Sequence, residues 1–315
     1  MNRSSDPEEP DQINVKIKHR IALRDDDRFW LEIDRLGLHY DRGDSNNVLR
    51  LAINVLNVTE DQPEWPEVER LVAIFCSGGH SVSNLFTKAE LDTAKWLHLS
   101  ALGHHGYPQP EENFGYQEAT YDVREFCPTC GIGGTQKAPF RIRTEFKASR
   151  SQIVQLNWVF DEFFLRNQAR EGLRSAGITG IRYLAPMLHK ANRQCERVAQ
   201  MVVKVELPPA LDPVGLQPVT CKAENEEWQA MQRRRPFESE KLSHCGRLKY
   251  HYTHKGPYRF DGDAFAGAPD VVKSHEWFGS GASAHRLVIV SQRFRQTVIA
   301  SNWRGVLFEP IELVK

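Results

Sequence analysis

The sequence contains no run of about 18 apolar residues, so no helix in it is expected to cross a bilayer. Its opening residues, MNRSSDPEEPDQ, carry no apolar stretch, so no signal peptide or membrane anchor is expected there and a cytoplasmic location is. No excess of either charge exists: Lys plus Arg number 41 and Asp plus Glu number 41. A neutral chain argues against bulk nucleic-acid or membrane-surface binding and leaves room only for local patches. Cysteine is scarce, at six in 315 residues, which excludes a disulfide scaffold. Close cysteines in such a chain point to metal or redox chemistry.

What is present is an ordinary globular composition, 40% hydrophobic and 26% charged, in a chain long enough for one large domain or two smaller ones. The expected class is α+β, with mixed sheets and a few helices. Residues 1–12 read as a disordered tail, residues 13–120 as an N-terminal α+β region, and residues 121–315 as a second α+β domain.

Alternation over Ile13–Leu23 predicts a strand, Arg28–Leu38 a short helix or strand, and the β-branched run Val48–Val58 a strand. Leu71–Cys76 reads as a buried strand. Thr87 and Glu90 form a capping-box pattern that predicts a helix from there to Leu102. Residues 103–120, rich in Gly, Pro and His, read as loop. Further strands are expected over Ile153–Val159, Ile181–Leu184, Ala199–Leu207, Leu287–Ser291 and Val306–Leu313. Helices are expected over Phe160–Ala176, ended by Gly177, and over Phe294–Ala300; residues 222–235 read as a charged helix.

Residues 153–186 and 287–310 both read as strand, helix, glycine, strand, proline. Gly180 aligns with Gly305, Tyr183 with Phe308 and Pro186 with Pro310. The pattern fits either a duplicated strand–helix–strand unit or two ordinary units of that kind that look alike; too few copies occur for a solenoid.

The sharpest motif is Cys127-Pro128-Thr129-Cys130-Gly131. Two-residue spacing aims both thiolates at one ion, and the glycine lets the backbone turn beneath them. One such knuckle supplies two of the four ligands that a structural zinc ion requires. Ser243-His244-Cys245-Gly246 reads as the second half of another knuckle, with Leu242 in the position of its first cysteine. The expected ligands are Cys127, Cys130, Cys245 and, as the fourth, His251; His254, His244 and Cys221 are the alternatives. If Cys127 and Cys245, 118 positions apart, hold one ion, the chain between them must fold back so that its ends meet. A redox role fits poorly, because glycines and not a helix follow the motif.

Other constellations have plainer readings. His98, His104 and His105 fall near a loop. Cys76 with His80, and His104 beyond them, are the residues on which an enzyme such as a nuclease or transferase would be built, but Cys76 reads as a buried thiol at a strand end. Asp161-Glu162 reads as an acidic pair at a helix start, favoured by the macrodipole. Arg233-Arg234-Arg235 reads as a solvated basic face and is the one feature an RNA- or DNA-associated zinc-ribbon protein would use.

CPTCG at 127–131, SHCG at 243–246, and the late block LVIVSQRF…RGVLFEPIEL resemble the double-CXXCG motif family of bacterial proteins, within a wider group of immunity proteins encoded beside polymorphic or contact-dependent toxins. The resemblance spans residues 120–315. It implies a binding protein that neutralises a cognate protein toxin and implies no catalysis. Two full knuckles would carry four cysteines, and Leu242 removes one.

Overall fold

A computed structural model describes residues 15–24, 28–43, 52–76, 79–146, 151–222 and 245–315. The expected tail at 1–12, the charged helix at 222–235 (all but its first position), Arg233–Arg235 and His244 lie outside them. The chain divides into two compact units: residues 1–90 with 253–257, and residues 91–252 with 258–315. By their internal contacts the two units divide at Glu90–Leu91, with 253–257 joining the first. Among the described residues no helix is long and apolar enough to cross a membrane.

The first unit begins with β1 (Lys16–Arg24), which pairs antiparallel with β2 (Ile53–Thr59) and β3 (His80–Leu85). Alternation in β1 sends Ile17, His19 and Ile21 inward. Helices α1 (Arg28–Arg35) and α2 (Trp65–Phe75) pack Phe29, Trp30, Ile33, Trp65, Val68 and Leu71 with Ile21, Leu56 and Val58. Leu71–Cys76 is thus helix, not strand. Trp65, Val68 and Leu71 recur at three-residue spacing, and Pro66 sits in the first turn, where its missing N–H costs nothing.

The capping box forms as expected. Glu90 N–H donates to Thr87 Oγ1 and Thr87 N–H donates to the Glu90 carboxylate. Its helix, α3 (Lys88–Thr93), is short, and residues Trp96–Ala101 are strand β4. Leu97 and Leu99 alternate into the core there, so period two overrides a helix-compatible composition. The loop 103–120 contains one short helix, α4 (Tyr116–Thr120).

The second unit bears out the α+β class and holds two copies of one arrangement. In the first, the hairpin β5 (Ile153–Leu156) and β6 (Val159–Arg166) leads into α5 (Asn167–Ser175) and β7 (Ile181–Leu184), with β8 (Val198–Val203) lying between β7 and β6. Two short strands follow, β9 (Pro218–Thr220) and β10 (Leu248–Tyr250), and then β11 (Tyr258–Asp261). In the second copy, the hairpin β12 (Val271–Phe278) and β13 (His285–Ser291) leads into α6 (Gln292–Ala300) and β14 (Val306–Val314), with β4 lying between β14 and β13. The inserted strand is antiparallel to both neighbours in each copy.

Helix ends match as well. Gly177 (φ +65°) and Asn302 (φ +52°) follow α5 and α6, and Gly180 (φ +88°) and Gly305 (φ +109°) start the next strands. The Phe160–Ala176 segment is therefore strand to Arg166 and helix after it, so Asp161 and Glu162 sit on β6 and not at a helix start. There they meet Lys273 Nζ at 3.0 and 2.6 Å in a buried ion cluster. Leu97, Leu99, Ile153, Phe163, Val288 and Phe294 fill the core shared by the two copies.

The two glycines lock the copies reciprocally. A Cβ on Gly180 would stand 2.2 Å from the Val271 carbonyl oxygen of the second copy, and one on Gly305 2.1 Å from the Ile153 carbonyl oxygen of the first. Gly305→Ala combines that clash with a left-handed φ and is expected to cost about 2–4 kcal/mol in urea unfolding. Gly215→Ala, at φ +78° in open space, should lose about 1 kcal/mol. Equal losses in the two variants would refute the close-approach account.

Candidate metal centre

The CPTCG segment forms a tight turn. Gly131 N–H donates to the Cys127 carbonyl and Cys127 N–H to the Ile132 carbonyl, both at 2.8 Å. Gly131 takes φ +81°, and a Cβ there would lie 2.5 Å from the Ala282 carbonyl oxygen. Only glycine gives both this turn and this approach.

The other sulfurs come from an antiparallel pair of strands. Strand β9 delivers Cys221 at its end and β10 is entered just after Cys245, with Thr220 opposite Leu248. Cys221 N–H donates to the Arg247 carbonyl at 3.0 Å, which holds the two chains in register beside the turn.

Four sulfurs converge: Cys127, Cys130, Cys221 and Cys245 have their Sγ atoms within 4.8 Å of one another, and the first three residues are buried. Cys127 Sγ lies 3.8 Å from Cys221 Sγ and Cys130 Sγ 3.7 Å from Cys245 Sγ. A disulfide needs about 2.05 Å, so these pairs are thiols. A tetrahedral ion at about 2.3 Å from each sulfur separates neighbouring sulfurs by about 3.8 Å. The donor set and its spacing fit a metal ion.

Three of the four expected ligands are thus brought together, and the fourth is corrected. Cys221 completes the group and His251 does not belong to it. His251 lies six residues past Cys245, just beyond the end of β10. Its N–H donates to the Gln217 carbonyl and its ring stacks on Tyr252.

Two cations stand beside the sulfurs. Arg247 Nε is 3.2 Å from Cys245 Sγ, and its Nη2 donates to the carbonyls of Glu125 and Ile132. Lys249 is fully buried, and its Nζ donates to the carbonyl oxygens of Cys130 (2.9 Å), Gly281 (2.7 Å) and Ser283 (2.6 Å). Burial pulls the Lys249 amine down to about 8. Gly246 turns the chain at φ +69° between Cys245 and Arg247, and Lys249 is the buried residue of β10, so neither cation followed from a sequence period.

Among the thiols, the hydrogen bond from Cys130 draws Cys127 down to about 4, while Cys130 is pushed up. Burial raises Cys221 to about 11. A bound dication favours all four as thiolates and releases their protons.

The remaining candidates disperse. Cys76 ends α2, and His80 Nε2 lies 2.9 Å from His19 Nδ1, whose other nitrogen meets Glu60 at 2.8 Å. His98 pairs with Glu309 at 2.9 Å on adjacent strands, while His104 packs on Phe160 and His105 on Phe146. Among the described residues the four cysteines are the one group placed to hold a metal ion. In comparisons with known proteins, no family model matches the chain and no curated protein matches it.

Proposed function

We propose that this chain is an immunity-type binding protein that neutralises a cognate bacterial toxin by stoichiometric association in the cytoplasm, and that a structural zinc ion organises its second unit. The observation that carries the reading is the closed four-sulfur set. Four protein thiolates fill a tetrahedral ion's coordination sphere, which leaves no position for water or substrate. Catalytic zinc sites keep such a position open. All-sulfur donors in this geometry favour zinc over harder cations.

The toxin reading rests on the resemblance of CPTCG, SHCG and the terminal block to double-CXXCG proteins. Masking a toxin needs a shaped surface on a stable scaffold, and a closed metal centre supplies stability without reactivity. Co-expression with the product of the neighbouring gene tests it: a complex of fixed stoichiometry should co-purify, and the chain should protect cells from that product. Absence of both association and protection would refute the reading. Cys76→Ala/His80→Ala is expected to keep full protection while folded; its selective loss would favour an enzyme built around those residues.

A further inference from the structure

Among the described residues of the first unit, the helices cover one face of its sheet. The inward face of β1 packs under α1 and α2, and the outward positions are Lys16, Lys18, Arg20, Ala22 and Arg24. Four of these five are basic. Successive ones from Lys16 to Arg20 stand about 6.7 Å apart along the strand, and Lys16 to Arg24 spans about 27 Å.

The strand neighbours of Lys18 and Arg20 on that face are short and polar, and an exposed carboxylate, Asp41, lies opposite Val55 in the Ala22 row. Lys18 is opposite Thr59 and Ser83, and Arg20 opposite Asn57 and Ser81. No residue in these pairs is acidic. Lys16 makes an ion pair with Asp61 at 2.7 Å, while among the described residues none forms an ion pair with Lys18, Arg20 or Arg24. At the two ends the face turns apolar: Ala22 lies opposite Val55, Arg24 opposite Ile53, and Lys16 opposite Leu85, which is 41% exposed. In a chain of zero net charge, Lys18 and Arg20 form a local basic row with no ion-pair partner among the described residues, flanked on the same face by the carboxylates of Asp61 at Lys16 and Asp41 in the Ala22 row.

We propose that the outer face of this sheet docks an acidic polypeptide segment, with carboxylates on the Lys18–Arg20 row and apolar side chains at its ends. Charge complementarity selects an anion. The chemistry of the face then selects among anions. Single-stranded nucleic acid is held by aromatic platforms on which bases stack, and no aromatic residue occupies an outward position of the three strands. A polypeptide uses what is there: hydroxyls and an amide for polar groups, and Ala22, Val55, Ile53 and Leu85 for its apolar side chains. The repeat of alternate side chains along β1 also equals that of an extended partner chain. The proposal goes beyond the toxin reading and stands without it, since it concerns only the chemistry that this face accepts.

The test uses the full chain and fluorescein-labelled peptides. A peptide alternating Glu and Leu should bind at low ionic strength and weaken as salt approaches about 0.15 M, where screening acts within about 8 Å. Lys18→Glu/Arg20→Glu should weaken binding at least about tenfold, because it reverses the sign of the contact. Lys204→Glu, an exposed cation of the second unit, should leave binding unchanged. If the double variant does not fold by circular dichroism, Lys18→Gln/Arg20→Gln replaces it, with a smaller loss expected. A fluorescent single-stranded oligonucleotide of equal charge serves as competitor. The proposal is overturned by no binding of the peptide, by binding insensitive to Lys18 and Arg20, or by tighter binding of the oligonucleotide. Its failure leaves co-purification with a toxin as a separate result.

Discussion

Cys221→Ser is expected to abolish stable metal binding and to lower the stability of the second unit by about 4–5 kcal/mol, by analogy with a cross-link that closes a loop of about 100 residues. The four-sulfur group joins Cys127 to Cys221 across 94 positions and Cys130 to Cys245 across 115. An ion held at that crossing ties three distant segments, and its binding free energy is coupled to folding. A serine hydroxyl is not a thiolate at neutral pH, so it leaves three ligands and an oxygen that binds far more weakly. Elemental analysis should find about one zinc per wild-type chain and a small residue in the variant. Urea unfolding should place Cys221→Ser close to the chelator-treated wild type. His251→Ala should keep its ion and its midpoint, since that ring stacks on Tyr252 outside the sulfur group. Full metal content in Cys221→Ser, or metal loss in His251→Ala, would falsify this assignment of the fourth ligand.

Lys249→Met is expected to lose about 3–5 kcal/mol of stability, although the position is fully buried and Met matches the apolar stem. The ammonium is the shared donor to three carbonyl oxygens on two segments, the knuckle at Cys130 and the turn at 281–283. Removing it strands the buried carbonyls of Cys130 and Gly281, at about 1–3 kcal/mol each where no other donor replaces it, and frees the half-buried Ser283 carbonyl. A tetrathiolate around a dication carries a net charge of about −2, and Lys249 with Arg247 supplies the offsetting charge. The variant should therefore also surrender its ion to a competing chelator more readily than wild type. A stability within 1 kcal/mol of wild type, with unchanged chelator competition, would show that the amine is a bystander (the scale being that of one ordinary hydrogen bond).

The local signals in the sequence held where one segment alone decides. The CPTCG turn needs only its own residues, and Gly131 adopts the left-handed φ that the motif requires. The capping box at Thr87 and Glu90 forms between residues three apart. Gly177 ends α5, and Gly180 and Gly305 align because each copy needs the same positive-φ step into its strand.

Where burial on both faces or pairing across the chain decides, the sequence misleads. Phe160–Arg166 is apolar enough for a helix face, yet it is a strand between β5 and β8. Trp96–Ala101 carries helix-compatible residues after a helix start, and becomes strand because β13 and β14 offer both edges.

The sequence by itself pointed to a metal site to be sought, to Cys127, Cys130 and Cys245 as three of its candidate ligands, and to a repeated strand–helix–strand pattern in the second half. Spacing within a motif and hydrophobic period are properties of short segments, and they survive in one dimension. Only the tertiary structure decided that Cys221 and not His251 completes the sulfur group, that Lys249 and Arg247 stand beside it, and that β4 belongs to the second unit. Each of these depends on which strands pair and in which register. The pairing energy is shared among residues far apart in sequence, and a one-residue slip would turn every side chain to the opposite face.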